Sequence, residues 1–585
     1  MKKYIGISII AVAMGLGLTS CNDFLDKLPD NRTEANTEEK VQRLLVAAYP
    51  THDHMAFTEY ASDNVDDMGA NNPYSDRFID QLYSWTDVTE TDNQDPESYW
   101  MDLYQCVETA NLALEGLESM GGAITKTQKE MEAEALLCRA YAHFMLVNLF
   151  APHYDVNNTS ALGVSYVTES EKELNPQYQR ETVHQNYAHI QADLEAALPN
   201  VGDSYFTAPK YHFNKLAAYA FATRFYLYYE KYEKAVECAN VVLGSNPRAM
   251  LRDYQAIGAM TRDFEPVAQH NIEATLKCNL LLMTSYSDQP INFGPYYTGK
   301  RYSHNAYIGG NEDIDAIANV LWKETIPSDQ TGYQSYYFQV VRYSGTNLNT
   351  WVTWRLPYLF EYTDPVAGIG FRHTVYNAFT GDEVLLNRAE AYIMLGDYDR
   401  AAADMTVWMQ NISRTADREG LTLTPESIAE KMDKIQYSYT QNYVRNAQGA
   451  IIQTKSKKDS VITVGTDQGT LSTLKKHLHP KFTIDEEGSI QESMIQALLA
   501  MRRVETLHEG KRWFDIKRWG IRIPRRVMDG SGKPKEITDW LEVDDLRRAI
   551  QIPMKVKDAG YEPNPRATSD NGGGQLIDEQ YMLKD

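Results

Sequence analysis

Residues 382–412 read DEVLLNRAEAYIMLGDYDRAAADMTVWMQNI. Like most periodic segments of the chain, this stretch repeats apolar residues at i, i+3 and i+4, the signature of a helix with one face toward a core. The pattern breaks at Gly396-Asp397 and resumes at Tyr398, with Ala401 three residues on. Residues 214–247, NKLAAYAFATRFYLYYEKYEKAVECANVVLGSNP, carry the same arrangement. Here the break is Glu230-Lys231, Tyr226, Tyr232 and Ala235 repeat the spacing of Tyr392, Tyr398 and Ala401, and Pro247 closes the unit. A small residue lets two helices approach, and the Tyr opening the second helix packs on the first. One such unit is a weak signal, because any helical hairpin looks similar; two with matched spacing point to a repeat.

Hairpins of this kind resemble the tetratricopeptide repeat, a helix–turn–helix unit of about 34 residues. The periodicity predicts helices over 39–48, 99–119, 126–150, 183–198, 214–229, 232–243, 382–395, 398–412, 425–434 and 491–509. Segments 128–150 and 183–198 would form another hairpin, split by loop 151–182, and a further helical unit covers 491–519. Strong strand alternation is rare. The expected fold is therefore mainly α, built on tetratricopeptide-type hairpins with large loop-rich insertions that form the working surface. The chain divides into a leader (1–20), an anchoring N-terminal segment (21–40), an N-terminal part with helical repeats (41–285) and a C-terminal part with variable loops and closing repeats (286–585).

The leader reads MKKYIGISIIAVAMGLGLTS and runs into Cys21. Lys2 and Lys3 precede an apolar run from Tyr4 to Leu18, as in a secretory signal. Leu18-Thr19-Ser20-Cys21 has the order of a bacterial lipobox, so Cys21 is read as the lipidation site and the first residue of the mature chain. Several acyl chains together hold a protein stably on a membrane. No later apolar stretch approaches the roughly 18 residues a spanning helix needs.

Charge narrows the function further. The chain has 57 basic against 80 acidic residues, a net charge of -23, which argues against nucleic acid and phosphate-rich partners. Cys106, Cys138, Cys238 and Cys278 show no C-x-x-C spacing, so a metal site is not expected; the first three sit in helical patterns and read as small buried hydrophobes. No H-E-x-x-H, G-x-x-x-x-G-K-[ST] or G-x-S-x-G occurs, and no cofactor is expected. His477 and His479 read as loop residues without acidic neighbours. The acidic stretches 63–67 and 87–95 lack the order of a calcium loop and read as solvated acidic loops.

Five stretches resemble the SusD/RagB family of Bacteroidetes outer-membrane lipoproteins: Cys21-Asn22-Asp23-Phe24-Leu25-Asp26 with Pro29; Trp100, Tyr104 and Ala110-Asn111; Glu134 to Tyr141; Asn387-Arg388-Ala389-Glu390-Ala391; and Arg503-Val504-Glu505 followed by Glu509-Gly510-Lys511-Arg512-Trp513-Phe514-Asp515-Ile516-Lys517-Arg518. Closing Ile552-Pro553 and Asn564-Pro565 also fit. Ala151 stands where the family usually has Gly, and Met501-Arg502-Arg503 blurs its Glu-Arg; both are framework positions. The resemblance implies a non-catalytic protein that binds a nutrient, usually a glycan, at the cell surface. It also implies delivery to a SusC-like TonB-dependent outer-membrane transporter. Glu505, Glu509, Arg512, Asp515 and Arg518 have helical spacing and read as an ion-pair network along one helix face rather than as acid/base catalysts, because arginine partners lower a carboxyl pKa and a general acid needs the opposite.

A sugar site needs flat apolar rings and planar polar groups. Each ring contributes about 1–2 kcal/mol if roughly ten carbon contacts form at ~0.1–0.2 kcal/mol apiece. Two loop regions, 60–100 and 286–355, offer such groups. Asp63, Asn64, Tyr74, Arg77 and Trp85 are the candidates in the first, and Tyr296, Tyr297, Trp322, Trp351 and Trp354 in the second; Trp85, Tyr296 and Trp351 lead. Rival readings are a peptide or glycopeptide receptor of the RagB type, an all-α surface glycoside hydrolase with a pair of cleft carboxylates, and a ligand-free lid for the transporter.

Overall fold

The computed structural model describes residues 35–566 apart from 70–71, 173–175, 262, 296–298, 323–342, 345–349, 415–417, 436, 439–442, 446–450 and 455–473. Cys21, Tyr296 and Tyr297 lie outside these residues. Helices form the framework: α1 (Glu38–Val46), α2 (Met55–Ala61), α3 (Arg77–Tyr83), α4 (Pro96–Ser119), α5 (Lys126–Phe150), α6 (Val183–Ala197), α7 (Lys215–Tyr228), α8 (Tyr232–Leu243), α9 (Gly381–Met394), α10 (Tyr398–Ile412), α11 (Pro425–Asp433), α12 (Ile490–Glu505) and α13 (Arg512–Arg518). The chain is mainly α, as its periodicity predicts. The starts are set by local chemistry: Thr125 with Gln128 and Thr182 with Gln185 form capping boxes for α5 and α6. Asp95 caps α4, with Pro96 in its first turn.

The matched spacing of the two hairpins has one structural cause. Glu230 after α7 and Gly396 after α9 both adopt left-handed backbone, φ 58° and 74°. In each turn the next amide reaches back to a tyrosine carbonyl: Lys231 N donates to Tyr226 O at 2.8 Å, and Asp397 N to Tyr392 O at 2.9 Å. This six-residue closure satisfies a carbonyl the helix end would leave bare. Each hairpin packs within itself, and α8 lies on α9, so the two repeats stack; α5 packs on α4 and α6, joining the hairpin across loop 151–182.

Strands were largely hidden from the periodicity. They are β1 (Asp66–Asp67), β2 (Asn279–Tyr286), β3 (Tyr302–Ser303), β4 (Leu359–Asp364), β5 (Ile369–Thr380), β6 (Ile523–Met528) and β7 (Pro534–Leu541), with short two-stranded pieces elsewhere. One sheet has the order β2-β5-β4; another has β7-β6-β1-β3. In β2 the first five residues are all buried, so both faces are covered and no alternation is written into the sequence.

The main apolar core extends from Ala48 to Ile552 and draws on both sides of position 285, and a smaller cluster gathers Val41, Leu45, Ala113, Leu117, Met131 and Ala135. Buried ion pairs tie the helices across it: Arg139–Asp193 (2.7 Å), Arg224–Glu383 (2.6 Å) and Arg388–Asp404 (2.7 Å). The expected network on 505–518 exists but is built differently. The helix stops at Glu505, and His508 and Gly510 turn through left-handed backbone. The charged residues therefore reach outward rather than along one face. Arg512 pairs with Asp63, Asp515 with Arg502, Arg518 with Glu390, and Glu509 with Arg355, while Glu505 accepts from Tyr254 and Trp408. Cys106, Cys138, Cys238 and Cys278 are buried and free. Among the described residues no helix is long and apolar enough to cross a membrane.

Candidate functional site

The β7-β6-β1-β3 sheet assembles three distant parts of the chain. Asp67 on β1 pairs in parallel with Val527 on β6 and antiparallel with Tyr302 on β3. The two loop regions singled out in the sequence thus meet at one place, joined by the hairpin β6–β7. An open cleft of about 520 Å³ lies there, lined by Asp67, Pro73, Arg301, Tyr302, Thr538 and Asp539 among others.

Its wall is an aromatic stack. Tyr83, the last residue of α3, lies against Tyr302 with ring centroids 4.0 Å apart and planes 16° from parallel. Both hydroxyls are fixed: Tyr302 donates to Asp80 Oδ1 at 2.7 Å and Tyr83 to the Arg526 carbonyl at 3.1 Å. Above the wall, Arg301 forms a two-pronged pair with Asp67, Nε to Oδ1 at 2.9 Å and Nη2 to Oδ2 at 2.7 Å. The Arg301 side chain remains 40% exposed, so the pair offers a charged, planar edge to solvent. At the rim Tyr74 is 63% exposed, and its carbonyl accepts from the Arg301 amide at 2.9 Å. Lys300 next to it is pulled down to about 8 by burial, against the opposing pull of Asp288 and Asp76.

Under the cleft lies Arg525, whose guanidinium sits 4.2 Å from the Tyr83 ring and 3.8 Å from Trp85 and donates to the carbonyls of Tyr60, Ala61 and Ser62. Burial lowers it to about 10.

Several sequence candidates have structural work instead. Trp85 is 6% exposed and donates its indole N–H to Ala61 O at 2.8 Å; it supports the cleft from below and offers no open face. Trp322, Trp351 and Trp354 are likewise buried. Trp351 lies against Gly309 so closely that a Cβ there would come within 1.8 Å of the ring. The 63–67 stretch is not a solvated acidic loop. Asp63 is enclosed by Arg512 (2.8 Å) and Arg503 (3.4 Å), Asp66 by Arg526 (2.7 Å), and Asn64 accepts from Arg503 and donates to Glu59. Burial would raise the Asp63 carboxyl, but the two guanidinium groups hold it well below the usual range. Arg77 is exposed and pairs with Glu90 at 3.1 Å. His477 does have an acidic partner, Glu487, 2.6 Å away, and stacks on Tyr437.

Of the named candidates, Tyr74 and Arg77 are exposed, Asp63 and Asn64 are buried among Arg503, Arg512 and Glu59, and Trp85 packs on Arg525 under the cleft. Asp67, Arg301, Thr538 and Asp539 were missed. A hairpin signal for the last two stands in the sequence, where Asp529-Gly530-Ser531-Gly532 separates the two runs that become β6 and β7.

Two family models match this chain, one described as "Starch-binding associating with outer membrane" over residues 23–227 and one as "SusD family" over residues 463–580. The chain belongs to the SusD/RagB family. Among its relatives, a SusD-like protein P2 of Formosa agariphila is 22% identical over 488 residues, 81% of each chain. A solved SusD superfamily protein of Bacteroides thetaiotaomicron is 18% identical with a TM-score of 0.52, covering 91% of this chain and 100% of that one. A putative sugar binding protein of Bacteroides vulgatus is 16% identical with a TM-score of 0.53, covering 91% and 99%. A laminarin binding SusD-like protein is 16% identical with a TM-score of 0.51, covering 92% and 99%. At these identities the solved structures establish the shared SusD fold and nothing finer.

Proposed function

We propose that this SusD/RagB protein is a surface lipoprotein of the outer membrane that captures an oligo- or polysaccharide in the open cleft and hands it to a SusC-like TonB-dependent transporter. The observation that carries this reading is an open cleft of about 520 Å³ lined by the part-exposed Arg301, paired with Asp67, and by the Tyr302–Tyr83 stack, with the exposed Tyr74 next in sequence to its lining residue Pro73. A pyranose offers an apolar C–H face and a fringe of hydroxyls. Tyr74 supplies a flat partner for the first; Arg301 donates to the second, and Asp67, Thr538 and Asp539 accept from it. One such ring contributes about 1–2 kcal/mol by its dispersion contacts, which suits weak capture and fast release.

The family descriptions and the laminarin binding relative favour a glycan over a peptide. The lipobox at Cys21 favours an acyl anchor, and the family favours the outer membrane. A hydrolase is disfavoured. Asp67 and Asp539 in the cleft are engaged by Arg301 and Arg547. Glu59 and Asp382, which burial pushes up to about 7, line no part of it. Affinity electrophoresis of residues 22–585 through plant, host and microbial polysaccharides tests the reading. Retention by at least one polysaccharide, lost in Tyr74→Ala, supports it; no retention by any of them moves the assignment to peptide capture or a ligand-free lid.

A further inference from the structure

A second cavity lies apart from the glycan cleft, between the 86–97 loop and the C-terminal segment. It measures about 150 Å³, and Phe57, Leu82, Trp85, Trp513 and Ile552 form its apolar wall. That volume is close to one that accepts a benzene ring in an engineered protein core.

Two features set it apart from a packing defect. Trp513 is 1% exposed, yet its indole N–H has no hydrogen-bond partner among the described residues. A buried donor left bare costs stability unless something fills the role of acceptor. Trp85, also in the wall, is held at φ 54°, a left-handed conformation that a bulky residue adopts only where its surroundings force it.

The charged groups around the cavity indicate what the missing acceptor is. The acids are already engaged: Asp87 by Arg566, Glu90 by Arg77, Glu97 by Lys555, and Asp95 by the amides of Ser98 and Asp92. Arg547 is engaged by Asp539 and Asp545. Lys557, half-buried at the cavity, has no acidic partner among the described residues. Of these groups, what remains unspent is a buried neutral donor and a cation, beside an apolar wall.

We propose that this cavity binds a small aromatic carboxylate, its ring on the apolar wall beside Trp513 and its carboxylate accepting from the Trp513 N–H and facing Lys557. The site is separate from the glycan cleft and does not depend on that assignment.

Calorimetric titration of residues 22–585 with benzoate tests it, with benzyl alcohol as the neutral match in size. Benzoate should bind saturably in the millimolar range or tighter. Benzyl alcohol should bind at least ~10-fold more weakly, since a hydrogen bond to a charged group is worth more than one to a neutral group. Trp513→Phe, which keeps a ring and removes the N–H, should weaken benzoate about 10-fold. Lys557→Gln, at a half-exposed position, should erase the preference for benzoate over benzyl alcohol. Arg301→Ala, in the glycan cleft, should leave benzoate binding unchanged. Absence of saturable benzoate binding, equal binding of both probes, or unchanged binding in Lys557→Gln would each overturn the proposal. The last of these decides even if Trp513→Phe fails to fold.

Discussion

Glu390→Gln should destabilise the protein by about 3–5 kcal/mol, the cost of breaking a buried ion pair from one side. Glu390 is fully buried and accepts from Arg502 at 2.5 Å and from Arg518 at 2.7 Å. The two arginines would suffer unequally. Arg502 keeps Asp515 at 2.8 Å. Arg518 is 1% exposed, its Nε and Nη1 have no hydrogen-bond partner among the described residues, and beyond Glu390 it has a 3.5 Å contact with Leu227 O and the Tyr228 and Trp519 rings 4.3 and 5.9 Å away. A neutral amide in place of the carboxylate leaves that guanidinium charge buried without compensation. Replacing both partners by apolar groups removes the stranded charge, so Glu390→Leu with Arg518→Met should be less destabilised than Glu390→Leu alone. The linkage sign is fixed by geometry. Burial alone would raise the Glu390 carboxyl, but the two guanidinium groups outweigh it and hold it below its ordinary value. Its contribution is thus complete above the unfolded value of about 4.3 and is lost as pH falls through the lower folded value. Urea unfolding at neutral and acid pH, read as midpoint shifts at constant slope, measures all of this. A loss under about 1 kcal/mol in Glu390→Gln, or strictly additive effects in the pair, would refute the reasoning.

Other outcomes follow from single positions. Glu230→Gly should stabilise by about 0.5–1 kcal/mol, since it relieves left-handed backbone and removes a buried carboxyl oxygen that has no partner among the described residues; Gly396→Ala, at the matching turn, should destabilise by about 1 kcal/mol, and thermal unfolding of both variants checks the opposite signs. Gly309→Ala should cost at least about 2 kcal/mol because its Cβ would fall 1.8 Å from the Trp351 ring, and near-ultraviolet circular dichroism should register the displaced indole. His54 and His143 are both lowered to about 3 by burial. A histidine with a depressed folded value stabilises fully above its unfolded value near 6.5 and loses that contribution as pH falls toward the folded value. His143→Gln should therefore flatten the decline in stability between about pH 6 and 3.

The helical frame was legible because its signals are local. The i, i+3, i+4 repeats, the Thr and Asp caps and the Tyr-x-x-x-x-x-Tyr turn each lie within a few consecutive residues, and α5, α8 and α10 begin and end where the periodicity places them. The sheets were not legible for a physical reason. β2 is covered on both faces and shows no alternation, and β1 and β3 are two residues long. The surroundings of the candidate cleft were partly legible. Regions 60–100 and 286–355 do converge, but tryptophan content was a poor guide within them, because a large ring buries more area than any other side chain and the core claims it first. Trp85, Trp322, Trp351 and Trp354 all went that way. Arg301 and Asp67 draw their meaning from a pairing between β1 and β3, more than 200 residues apart in sequence, and no local pattern announces it.

Capture of sugar in the cleft at Arg301 and Asp67 is the step on which the proposed function rests. The most direct test is the dissociation constant of residues 22–585 for a polysaccharide retained in electrophoresis, measured for wild type and Arg301→Ala. Arg301 is part-exposed but its partner Asp67 is buried, so the variant's urea unfolding is measured alongside and binding is compared under conditions where both proteins are folded. Binding by the folded variant should weaken about 10-fold or more, as expected when a charged hydrogen-bond donor is removed. Equal affinity in the two proteins would contradict it and place the sugar elsewhere on the molecule.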